Sequence, residues 1–130
     1  LSQRAMTDHR PVYLNLIKIR LPLAGIVSFA HRVSGVLLFL FLPFSVYLLD
    51  LSVRSAESFI SVQQMMSQPL MLLVQVLLLW SITHHFYAGI RFLLIDADIG
   101  VEKTQAKLGS WLVFLAEAVT MLLIMIGVYA

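Results

Sequence analysis

Cysteine is absent from this sequence of 130 residues, so the chain carries no disulfide, no thiolate metal site and no iron–sulfur ligation of its own. Histidine is the residue left for any redox centre it holds. Charge is scarce as well. With 12% Asp, Glu, Lys and Arg against 60% apolar residues, the sequence has too few charges to coat a soluble domain of its size and belongs in lipid. A pI near 9.2 does not point to nucleic acid, which is excluded as a partner, because the basic residues are few and sit where membrane topology predicts them. No internal repeat or low-complexity tract is present.

What remains is apolar and long. A hydrocarbon core of about 30 Å needs about 20 helical residues, and three stretches are long enough: 21–49, 69–95 and 108–130. The expected fold is therefore all-α, with three transmembrane helices in a membrane domain over 21–130, preceded by an N-terminal arm over 1–20. The first run is too long for a signal-peptide core, and no small-residue cleavage pattern follows it. Pro43 predicts a kink near Phe39, and Pro69 after Ser67 and Gln68 marks the start of the second span. The stretch from Asp50 to Gln68 reads as a loop. Trp111 and Tyr129 suit an aromatic belt at the two ends of the third span.

Orientation follows from the basic residues. Arg4, Arg10, Lys18 and Arg20 precede the first span, and Arg91, Lys103 and Lys107 flank or fill the connection between the second and third, whereas Asp50–Gln68 holds only Arg54. The amino terminus and the second connection are expected in the cytoplasm.

Against this background the ionisable groups inside the spans stand out, because each costs about 2.5–3.5 kcal/mol to insert and marks a functional-site candidate. They are His31, Arg32, His84, His85 and Glu117. Three helices offer little interior to hide them, so a second membrane chain is expected alongside. His31 and His85 each lie about ten residues from the cytoplasmic end of their span, about 15 Å at the helical rise, and so at similar depth. A neutral imidazole in a helix bundle suits haem iron; a hydrogen bond to a neighbouring helix is the competing reading. Consecutive helical residues diverge by about 100°, so at most one of His84 and His85 faces a given cofactor. Gly89, one turn after His85, favours His85 by leaving space for a macrocycle, although glycine also serves close helix packing. His84 then reads as an interhelical hydrogen-bonding residue, and Glu117 as protonated or hydrogen-bonded within the bundle. Ser28 and Arg32 share one face at i and i+4 and offer donors to quinone oxygens that gain negative charge on reduction. Arg32 could equally pair with haem propionates. Arg91 and Asp96 read as anchors of a helix end at lipid headgroups or a partner.

These residues also carry a resemblance. Arg10–Pro11, the run Ser28-x-x-His31–Arg32–Val33–Ser34–Gly35, and His85-x-x-x-Gly89–Ile90–Arg91 with Asp96 are similar to the cytochrome b556 membrane-anchor subunits of succinate dehydrogenase. The resemblance extends from about Arg10 to Ala130. It implies a haem b shared with a second small membrane-anchor subunit, with His85 as this chain's axial ligand. It also implies ubiquinone near Ser28 and Arg32, and haem-propionate or quinone-site contacts from His31 and Arg32. Electrons would come from succinate through a flavoprotein and an iron–sulfur subunit docked on the cytoplasmic side of a bacterial inner membrane. On that reading the isolated chain has no flavin or dicarboxylate site and no activity of its own. Two alternatives are an anchor subunit of a quinol:fumarate reductase and a small non-redox membrane protein. A variant of the main reading ligates haem between His31 and His85 without a partner.

Overall fold

The computed structural model of the chain describes residues 20–130. Arg4, Arg10, Pro11 and Lys18 lie outside the described residues. Four helices follow in order: α1 (Leu23–Arg54), α2 (Ala56–Met66), α3 (Pro69–Asp96) and α4 (Lys103–Tyr129). α1, α3 and α4 are long and apolar enough to cross a membrane, and their backbone groups are satisfied within each helix, as hydrocarbon requires. α1 continues through Pro43. At 32 residues it is about 48 Å long, so its ends pass beyond a 30 Å core.

The stretch from Asp50 to Gln68 is mostly helical rather than a loop. Asp50 and Arg54, at i and i+4, hydrogen-bond and carry α1 to its end. α2 then starts on a reciprocal cap: the Ser58 amide donates to the Ser55 hydroxyl at 3.1 Å, and the Ser55 amide donates to the Ser58 hydroxyl at 3.0 Å. With 11 residues, none of them buried, α2 is too short to span. α3 opens with proline in its first turn. After α3 the chain reverses through Asp98 and Gly100, both at positive φ (58° and 76°).

Packing is dominated by α1 on α3 and α3 on α4, with α1 also touching α4. Val27, Ala88 and Val113, one from each spanning helix, form a small apolar centre ringed by Tyr87, Phe92 and Phe114. Apart from Leu48, the other buried residues are polar: Ser34, Ser81, Thr83, His84, Arg91, Ser110 and Glu117, while Phe39, Leu40, Leu73, Leu93 and Leu123 face outward. Lipid removes the hydrophobic drive between helices, so small residues and hydrogen bonds hold the bundle instead. Ser81, Thr83 and Ser110 satisfy themselves on carbonyls one turn back. The starts of α1 and α4 meet at one end, where Pro22, Leu23, Lys103 and Lys107 line a cleft of about 320 Å³. Arg54 and α2 follow at the far end of α1.

Candidate functional site

His31 on α1 and His85 on α3 meet face to face. Their ring centroids are 4.1 Å apart and the planes differ by 9°, with Phe92 edge-on to His31 at 5.1 Å. The ladder beneath His85 fixes its tautomer. Ser34 donates its hydroxyl hydrogen to the His31 carbonyl at 2.8 Å. The Ser34 oxygen, 3.2 Å from His85 Nδ1, is thereby left to accept, and the His31 carbonyl, 3.3 Å from the same nitrogen, can only accept. Nδ1 therefore carries the ring hydrogen, and Nε2 presents its lone pair. That is the form an imidazole needs to bind a metal, with the second nitrogen anchored on a carbonyl. His85 is only partly buried.

This arrangement fits haem held at His85 and does not fit a haem held between His31 and His85. Axial ligands stand on opposite faces of a macrocycle, whereas stacked rings 4.1 Å apart leave no room for one.

Two glycines border the His31–His85 pair. A Cβ on Gly35 would lie 3.1 Å from His85 Cε1, so Gly35 is what lets the ring approach α1. Sequence reasoning gave no role to Gly35 or Ser34, although the small pair directly after Arg32–Val33 is the signal that could have found them. Gly89 differs from expectation: its open side faces His31, where a Cβ would lie 3.7 Å from Nε2, an ordinary contact. Gly35→Ala is expected to destabilise the purified complex by about 1 kcal/mol, as overpacking of about 1–3 kcal/mol exceeds a helix-propensity gain of about 1 kcal/mol. Gly89→Ala should melt at or above the unmodified temperature. Thermal melts of both variants read this difference.

Ser28 and Arg32 sit one turn apart on α1, Ser28 half-buried and Arg32 exposed. Arg32 lines a shallow outer cavity of about 250 Å³ with Val33, Val36 and Leu37; Ser28 is not among its walls. Arg32 thus projects from the bundle while His31, its neighbour, turns inward.

His84 is fully buried and bonded at both nitrogens, to Glu117 Oε2 on α4 at 2.5 Å and to the Val27 carbonyl on α1 at 3.3 Å. Glu117 thus has its hydrogen-bond partner within the bundle. Tyr87 and Thr120 add a second bond between α3 and α4, at 2.7 Å. Arg91 is not an outward anchor. It is buried against α4, where it donates to the Ala106 carbonyl at 3.3 Å and lies alongside Gly109 and over the Phe92 ring. Asp96 is exposed.

The sequence matches the family model for the succinate dehydrogenase/fumarate reductase transmembrane subunit over residues 6–124. It is 34% identical over 119 residues to a succinate dehydrogenase cytochrome b556 subunit of Coxiella burnetii, covering 91% of this chain and 95% of that one. It is 30% identical over 102 residues to the succinate dehydrogenase cytochrome b556 subunit of Paracoccus denitrificans, covering 78% of each chain.

Proposed function

From the premise that this chain belongs to the succinate dehydrogenase/fumarate reductase transmembrane subunit family, we propose that it anchors a succinate dehydrogenase in the membrane, holds haem b and forms part of the quinone site. The observation that carries this reading is His85, whose Nδ1 is committed to Ser34 and His31 and whose Nε2 is left as a lone pair. His85 would hold the haem iron through Nε2, together with a ligand from a partner membrane-anchor subunit. Bound there, haem b supplies one-electron transfer. This chain's own residues orient the ligand ring and exclude lipid from its inner face.

Arg32, at its outer cavity, and Ser28, one turn before it, donate hydrogen bonds to ubiquinone and strengthen them as the oxygens gain charge. His31 and Arg32 also meet the haem propionates or the rim of the quinone site. Electrons from succinate arrive through a flavoprotein and an iron–sulfur subunit. The basic end of the bundle, with Lys103 and Lys107 beside the start of α1, faces the bacterial cytoplasm by the positive-inside rule, which puts the N-terminal arm on the same side as those subunits. Succinate oxidation is favoured over fumarate reduction as the working direction by the names of both relatives.

Purification of the assembled complex through a tag on this chain, followed by a dithionite-reduced minus oxidised spectrum, tests the reading. Co-purification of the flavoprotein, iron–sulfur and second anchor subunits with one b-type haem per complex is expected. A complex without haem, or a chain recovered with no redox partners, overturns it and favours a non-redox membrane role.

A further inference from the structure

The haem reading leaves one buried pair unused, His84 with Glu117. α3 carries His84 and His85 in succession, so a single rotation of the helix aims both rings. His84 Nε2 lies 3.3 Å from the Val27 carbonyl, and since a carbonyl only accepts, Nε2 carries a hydrogen. Nδ1 and Glu117 Oε2, 2.5 Å apart, share one more. Whether that hydrogen sits on the ring or on the carboxyl, the pair has no net charge, which is how an apolar bundle accommodates it. Trp80 stacks on the ring at 5.4 Å and Phe114 closes in at 6.0 Å, so the imidazole is held on its edges and on its faces.

The acceptors on α1 reveal what the grip does. His84 holds the carbonyl of Val27, and His85 holds the carbonyl of His31, four residues and one helical turn further on. Two adjacent imidazoles therefore engage two successive carbonyls along one line of α1. Glu117 pins the first imidazole from α4 and so fixes both the rotation and the height of the second.

We infer that His84 and Glu117 are positioning residues for the haem ligand: they set the direction in which His85 presents Nε2. This rests on the haem assignment proposed above. Its prediction is that releasing Glu117 alters the ligand field of the haem without removing its ligand.

The test uses the whole assembled complex carrying Glu117→Ala, Glu117→Gln or Tyr87→Phe, read by the low-spin ferric haem EPR signal and by the haem midpoint potential. Glu117→Ala is expected to shift the largest g value and raise the midpoint, since looser imidazole donation stabilises the ferric state less. Glu117→Gln keeps a hydrogen-bond partner for His84, its amide N–H donating to the bare Nδ1, and should return both readings toward the unmodified complex. Tyr87→Phe breaks a different bond between α3 and α4 and should change neither. Should Glu117→Ala not assemble, Glu117→Asp draws the carboxylate back by one methylene and should produce a shift in the same direction. Unmodified g values and midpoint in Glu117→Ala, or in Glu117→Asp if that is the variant obtained, overturn the inference and leave the haem assignment standing. An equal shift from Tyr87→Phe also overturns it, by tracing the effect to helix docking. Absence of haem from the unmodified complex removes the assignment itself, and the inference with it.

Discussion

Replacing His85 with alanine in the assembled complex is expected to abolish the reduced b-type difference spectrum, or to convert what haem remains from low spin to high spin. The expectation follows from the hydrogen bonds. Ser34 and the His31 carbonyl secure Nδ1, so the imidazole arrives with its tautomer and its plane already chosen. Losing supporting hydrogen bonds around a metal ligand costs about 10–100-fold in affinity or activity; losing the ligand removes the bond those contacts exist to serve. His31 cannot substitute from its present position, because its ring lies flat on the face of His85. A second variant, His31→Ala, would strip away that stacking partner yet leave the His31 carbonyl and Ser34 to hold Nδ1. Absorption and EPR spectra of the purified complex decide the matter, and an unchanged low-spin spectrum in His85→Ala sinks the ligand role.

The second large effect belongs to Arg32. Removing one donor aimed at developing negative charge costs about 10²–10³-fold in turnover where that charge forms in a desolvated site. Arg32 is exposed in the isolated subunit, so on the proposed reading its desolvation would come from the partner and from bound quinone, and Arg32→Ala is expected at the lower end, about 10²-fold in succinate:quinone turnover. Ser28→Ala removes a neutral donor worth about 0.5–1.5 kcal/mol and should cost several-fold. In both variants, succinate oxidation with an artificial acceptor that bypasses the membrane site should be retained. Loss of both activities together would trace the defect to assembly instead.

The three spans were legible because hydrocarbon imposes one requirement on length and apolar content, and 21–49, 69–95 and 108–130 meet it. Their ends were less so. The five residues that extend α1 to Arg54, and the whole of α2, are set by local side-chain bonds between Asp50 and Arg54 and between Ser55 and Ser58, signals that average hydropathy erases. The Ser55-x-x-Ser58 spacing is short enough to have been read.

Within the site, the depth estimate placed His31 and His85 at one level, and their stacked rings are consistent with it. The sequence could not show which way the rings turn. That depends on α1 meeting α3 at Gly35, a contact between residues 50 positions apart in the chain. The same holds for His84 and Glu117, which become partners only through the packing of α3 on α4. Arg91 looked like a headgroup anchor because of its place near a helix end, and it turns inward to the Ala106 carbonyl, beside Gly109 on α4.

The hydrogen bonds that cross the bundle also impose an order of events during synthesis. α1 and α3 can settle the His85 contacts as soon as both have left the insertion machinery, but His84 stays half-satisfied until α4 delivers Glu117. A chain that stops short of α4 leaves His84 Nδ1 without the carboxyl that partners it, and an unpaired buried polar atom is costly in an apolar bundle. α4, made after α1 and α3, thereby completes a contact that those two cannot supply to each other.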